Sequence, residues 1–233
     1  MVMEKKISRR EFLKASAATG AILSMAPSLT LAEEPKTIQL VAPQPGAGSP
    51  LIRLLWKRKS SREFSSKPLP VEVLSNLLWA GFGINRPDGK RTAPYARASM
   101  KNPDEQGIDI YVILPEGLYL YDPKPNQLKL VVAEDLRGLA GTQPYVKEAP
   151  VNLIYVSDYG KMKDNIPNEQ KIFLSCAEAG FISENVYLYC ASEGLATVVR
   201  AWIDRPALSK AMQLRPDQKI ILGQPVGYPK TTS

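Results

Sequence analysis

Two hydrophobic periods divide the chain. From Pro50, Leu51, Leu54 and Leu55 recur at helical spacing and predict a helix to about Lys59 whose leucines enter the core. In "PLPVEVLSNLLWAGFG", Leu74, Leu77 and Leu78 repeat that spacing, with Gly81 and Gly83 as stops. The polar stretch "INRPDGKRTAPYARASMKNPDEQG" has no period, and a loop of that length in a compact domain tends to be functional. "IDIYVIL" and "GLYLYD" are β-rich and separated by Pro-Glu-Gly, which predicts a hairpin, with "LKLVV" as a further short strand. A short helix is expected around Glu134 to Gly141, then the strand "VNLIYVS", then one long helix from about Asn168 to Glu193. "LATVVRAW", the helix "PALSKAMQL" and the strand "QKIILGQPVGYP" complete the chain. The fold class is α+β, with a mixed, mainly antiparallel sheet flanked by helices.

The N-terminus follows another pattern. Lys5, Lys6, Arg9, Arg10 and Lys14 form a basic head, Ala15 to Ala32 carries no charge, and the run ends on small Thr30 and Ala32. These are the three parts of a secretory signal, and Gly20 and Pro27 interrupt a run too short for a confident membrane span. Ser8-Arg9-Arg10-Glu11-Phe12-Leu13-Lys14 resembles the twin-arginine consensus, which a translocase for folded cargo reads. The organisation expected is a removed signal over residues 1–32, a Pro/Gly/Ala-rich linker or arm over 33–49, and one domain over 50–233 in a periplasmic or other extracytoplasmic space. Folding before export suits a protein loaded with a cofactor in the cytoplasm.

Charge and composition narrow the chemistry. Removing the leader's five basic and two acidic residues from the chain's 30 and 23 leaves 25 and 21, a net charge of +4. So mild and dispersed an excess argues for an anionic cofactor rather than nucleic acid. The absence of histidine removes the Ser-His-Asp triad, the Cys-His dyad and the common zinc and haem ligand sets. Cys176 and Cys190 fall on the long helix, about 21 Å apart in rise, too far for a disulfide, and are expected to be two buried thiols.

The densest basic cluster is "WKRKSSREF", where Lys57, Arg58, Lys59, Ser60 and Arg62 suit the oxygens of a phosphate, with Trp56 and Phe64 as apolar anchors. Arg58-x-Ser60-x-Arg62-x-Phe64 followed by "PLPVEVLSNLLWAGFGIN" resembles the opening of the nitroreductase superfamily, whose members bind FMN. "RTAPYARA", the hairpin "IDIYVILPEGLYLYDPKPNQL", "GLATVV" and "LGQPVGYP" extend the resemblance along the chain, nearest to the azoline dehydrogenases. It implies that Arg58, Lys59, Ser60 and Arg62 hold the FMN phosphate and ribityl chain, and that Lys230 closes the phosphate site. Pro94, Tyr95 and Ala96 would lie beside the isoalloxazine, and Arg200 and Ala201 would form the backbone segment at its N5 edge. It also implies a homodimer with each site built from both chains, the long helix being apolar on more than one face. Two departures stand out: Tyr95 replaces a small serine, so the pocket is expected to be partly filled or reshaped, and Arg200 replaces an apolar residue or glycine.

The resemblance implies an exported oxidoreductase that moves hydride through flavin N5, between a donor and a small-molecule acceptor or oxidisable substrate. No protein nucleophile is required; Tyr95 and Arg97 are the side chains nearest to a catalytic role. Because nicotinamide cofactors are scarce outside the cytoplasmic membrane, a quinol or small redox protein is the expected partner in place of NAD(P)H. The alternatives are a non-catalytic flavin-binding or maturation protein, and an envelope interaction domain using Tyr119, Tyr121 and Trp202.

Overall fold

The computed structural model describes residues 50–230. The expected signal (1–32) and arm (33–49) lie outside the described residues, as do 231–233. Helices α1 (Pro50–Lys57) and α2 (Val71–Phe82) precede the long loop. Strands β1 (Ile108–Leu114), β2 (Gly117–Asp122) and β3 (Gln127–Val132) follow. After these come α3 (Tyr145–Glu148), β4 (Val151–Asp158), α4 (Asn168–Glu193), β5 (Ala196–Thr197), α5 (Arg205–Ala211) and β6 (Gln218–Gly227).

The six strands form one sheet in the order β3-β2-β1-β4-β6-β5. Every strand pair is antiparallel, in line with the mainly antiparallel, helix-flanked sheet that was expected. Alternation along the central strands feeds two cores. Ile110, Val112, Leu153 and Tyr155 face α2 and α4. Tyr111, Ile113, Ile154 and Val156 face Leu208 of α5, Met212 and Val146 of α3. With both faces covered, β4 is buried throughout and its sequence is an almost unbroken apolar run.

The long helix α4 takes the boundaries that its periodicity predicts. It is pinned to the sheet through Gln224, which accepts from the Tyr155 hydroxyl (2.5 Å) and donates to the Ser183 carbonyl (3.3 Å). Gly81, expected as a stop, lies inside α2, where a Cβ would come within 3.2 Å of Val186; the bare backbone lets α2 and α4 approach. Helix α1 departs from expectation. It ends at Lys57 and buries no residue, leaving Leu51, Leu55 and Trp56 about half exposed. It packs against α4. Cys190 is buried, whereas Cys176, expected buried, is exposed where the N-terminal half of α4 borders a cavity.

Candidate functional site

The basic turn after α1 is held from three directions. Arg58 N–H closes the helix on the Leu54 carbonyl (2.8 Å), and Ser61 N–H donates to the Thr197 carbonyl (2.9 Å). Ser60 Oγ shares a 2.8 Å hydrogen bond with the Tyr187 hydroxyl, and the Arg58 guanidinium lies 5.3 Å from the Tyr187 ring centroid. Phe64 is buried and forms a β-bridge with Pro229, while Lys230 N–H reaches the Glu63 carbonyl at 3.3 Å. The chain's end is thereby laid beside the basic turn. Phe64 is the buried apolar anchor that was expected, whereas Trp56 is about half exposed.

Lys59, Ser61, Tyr187, Ser192 and Pro229 line a cavity of about 340 Å³, and Lys230 lines a neighbouring hollow with Ser65, Ser66 and Glu148. Among the described residues no carboxylate pairs with Arg58, Lys59, Arg62 or Lys230. A turn that carries arginine and lysine without ion-pair partners, with Lys59 on the cavity wall, suits a phosphate group.

The loop that contains Pro94, Tyr95 and Ala96 is fastened elsewhere on α4. Ala96 N–H donates to Glu178 Oε1 at 2.7 Å. Glu178 is buried, its Oε2 has no partner, and burial raises its pKa against the opposing pull of the Ala96 N–H. Tyr95 stacks edge-on against Phe82 at 6.2 Å, and its hydroxyl is 3.5 Å from the Pro103 carbonyl. Its ring is thus partly buried against its own chain's core. Arg97 is paired with Asp104 at the surface (3.2 Å).

Tyr187 and Glu178 are nine residues apart on α4, about 13 Å along the axis and about half a turn around it. The chain therefore carries its basic turn and its Pro94–Ala96 loop at opposite margins of the buried face of α4, and no hydrogen bond joins them among the described residues.

The third segment runs beside β6. Val199 N–H donates to the Tyr187 hydroxyl (2.9 Å), and Arg200 exchanges both backbone bonds with Gly223 (2.9 and 3.0 Å). The Arg200 side chain is buried, donating to the carbonyls of Ala140 (2.5 Å) and Trp202 (3.4 Å), with Nε unpartnered. Burial without a carboxylate pushes its pKa down to about 10. Within the expected Arg200–Ala201 backbone segment, the Arg200 N–H is taken by the Gly223 carbonyl, and its terminal guanidinium nitrogens are turned to backbone carbonyls. The free donor is the next one along: Ala201 is exposed and its N–H makes no hydrogen bond among the described residues.

Sequence reasoning missed Tyr187 and Glu178. Tyr187 sits at helical spacing among apolar neighbours and looks like a core residue, and Glu178 looks like a solvated glutamate. Only the packing of α4 shows that each fastens a distant loop.

This arrangement of an antiparallel sheet, a long central helix and an unneutralised basic turn defines a class. Residues 55–228 match the nitroreductase family, and the chain belongs to it. Residues 6–26 match the twin-arginine translocation pathway signal sequence, which points to export across the membrane and to the Tat translocase as a partner. A nitroreductase-family protein of Methanocaldococcus jannaschii is 30% identical over 149 residues, covering 62% of this chain and 75% of that one. Iodotyrosine deiodinase of Nematostella vectensis is 27% identical over 180 residues, and the match covers 74% of this chain and 64% of that protein. A crystal structure of a nitroreductase-family protein from Ralstonia eutropha is 41% identical, has a TM-score of 0.72 and covers 89% of this chain and 96% of that one. A chain of the E. coli microcin synthetase complex shares the fold (TM-score 0.66, 15% identity, 99% of this chain and 85% of that one). Family members are generally FMN-dependent oxidoreductases, and the basic turn described above fits the FMN phosphate.

Proposed function

We propose that the mature chain is an exported FMN-dependent oxidoreductase acting on a small organic molecule. The observation that carries this reading is the turn Arg58-Lys59-Ser60-x-Arg62, rigidly held yet free of any carboxylate partner among the described residues, in a nitroreductase-family chain. Arg58, Lys59, Ser60, Arg62 and Lys230 would hold the phosphate end, and the exposed Ala201 N–H would donate to the ring edge. FMN, when bound, supplies two-electron chemistry at N5. The protein's share is orientation and exclusion of water, and no side chain is required as a nucleophile.

The working unit in this reading is a homodimer, with the Pro94–Ala96 loop of one copy completing the site of the other. Two features support it. The loop and the basic turn lie at opposite margins of α4 within one chain. The outer face of α4 is apolar, with Phe173 70% and Phe181 49% exposed around small Ala177 and Gly180. Outside the cytoplasmic membrane the electron donor is a quinol or a small redox protein. The likeness to a deiodinase makes halogenated phenols trial acceptors alongside nitroarenes.

The test is the visible spectrum of the exported protein, with mass analysis of whatever denaturation releases. A flavin spectrum with FMN released is expected, and Arg58→Ala or Arg62→Ala should weaken FMN binding about tenfold or more, the scale of a lost charge-assisted hydrogen bond. Reduction by a quinol or ferredoxin-type donor, followed by reoxidation with a nitroarene or iodotyrosine, is the catalytic readout. A colourless protein that takes up no added FMN overturns the reading.

A further inference from the structure

At the N-terminal end of α4, well away from the basic turn in sequence, lies a cavity of about 680 Å³ that uses none of the residues assigned to FMN. Its walls include Tyr159, Ile172, Cys176, Ile220 and Ile221, and Lys171 stands among them. Ile172 and Cys176 occupy the same side of α4 as Ala179, Ser183, Val186 and Cys190, about 100° per residue being one helical step. Those four are buried, yet Ile172 is 51% exposed and Cys176 is exposed. The core-facing side of the helix therefore looks into open space here, and the apolar wall has lost its neighbour.

Lys171 is the second observation. It is only 9% exposed, yet its ammonium makes no ion pair and no hydrogen bond among the described residues; its neighbour is the Tyr159 ring, 5.9 Å from centroid to Nζ. The lysine's stem is thus packed away while its ammonium opens into the cavity, where an anion could reach it. Asp164, the carboxylate that feels Lys171, is itself paired with Lys101 at 2.8 Å, which leaves room for an anion. Arg205 is spent on the carbonyls of Ala201, Ile220 and Ile221. Asp217 is engaged by Arg215 at 3.2 Å, and Lys219 is exposed at the rim. Asn168, in the first turn of α4, also lines the cavity, and Pro167 before it offers no side-chain cap, so the positive end of a 26-residue helix adds to the lysine.

We propose that this cavity binds an organic acid, its carboxylate on Lys171 and its apolar or aromatic body against Tyr159, Ile172 and Ile220–Ile221. Its mouth borders the segment proposed to approach the flavin, since Arg205 lines the cavity and donates to the Ala201 carbonyl at 3.1 Å. The inference itself does not depend on flavin.

Cys176 reports on the cavity, because the only other cysteine, Cys190, is buried. The native protein is treated with N-ethylmaleimide with and without naphthalene-2-carboxylate, and Cys176 alkylation is followed by peptide mass. Alkylation should be rapid alone and slowed saturably by the carboxylate. The neutral 2-naphthylmethanol should protect at least about tenfold more weakly, and Lys171→Met should raise the carboxylate concentration needed by a similar factor. Lys171→Arg should retain protection. Absence of protection, equal protection by the alcohol, undiminished protection in a folded Lys171→Met protein, or a Cys176 that the reagent does not reach would each overturn the proposal. The comparison of acid with alcohol needs no variant, and the spectrum of the same protein reports separately on FMN.

Discussion

Ser60 and Tyr187, 127 residues apart, share a hydrogen bond of 2.8 Å, and the same tyrosine hydroxyl accepts the Val199 N–H at 2.9 Å. One oxygen on the long helix thus joins the basic turn to the segment that follows β5. The position of the candidate phosphate site relative to Ala201 is set by this atom more than by either loop.

Tyr187→Phe keeps the ring beneath Arg58 but removes that oxygen. Val199 N–H then loses its acceptor and Ser60 its orientation. A stability loss of about 1–3 kcal/mol is expected in urea unfolding, the scale for leaving a part-buried donor unpaired. FMN titration should show weaker binding. Unchanged affinity with the expected stability loss would make Tyr187 purely architectural.

Glu178 offers a pH test. Its buried carboxyl has a raised pKa, the desolvation of the charged form outweighing the Ala96 N–H. A raised acid pKa means that the folded state holds the proton longer than the unfolded chain. The group's contribution is therefore most favourable below the ordinary glutamate range and is lost as pH rises through the folded pKa. Glu178→Gln, which still accepts the Ala96 N–H, should gain stability relative to wild type from pH 4 to pH 8. Thermal unfolding of both proteins across that range measures it, and a constant difference would refute the assignment.

Gly141 lies against the Arg200 guanidinium so closely that a Cβ there would overlap it. Arg200 is buried and bound to the Ala140 carbonyl, so it has little room to retreat. Gly141→Ala should cost about 1–3 kcal/mol, the range for overpacking a filled core. Chemical denaturation measures this, and a neutral result would mean that the arginine relocates.

The outer face of α4 gives the fourth prediction. Phe173→Glu with Phe181→Glu places two charges on an apolar surface and removes nothing from either core. Light scattering should show a monomer in place of a dimer, and the protein should purify with less flavin, because each site would lack the partner's loop. A flavin-loaded monomer would refute the shared-site arrangement.

Much of this could be read along the chain. The α4 boundaries, the β1–β2 hairpin, β4 and β6 follow from period and composition, because a central strand with both faces covered has to be apolar throughout. The basic turn was equally legible: contiguous arginine and lysine with serine is a local pattern. Helix α1 was misjudged because amphipathic spacing shows that a helix has an apolar face but not what covers it. Cys176 was misjudged for the same reason.

What the sequence determined by itself was the set of elements, the leader motif and the chemistry available without histidine. The tertiary structure decided which side chains work together. Among the described residues it turns Arg200 to the Ala140 carbonyl and leaves the Ala201 N–H unbonded, it fastens two separated loops to Tyr187 and Glu178, and it sets Lys171 in a cavity wall with no ion-pair partner. The physical reason is that period and composition depend on neighbours along the chain. Hydrogen-bond partners and burial depend on neighbours in space, which are chosen only when the helices close over the sheet.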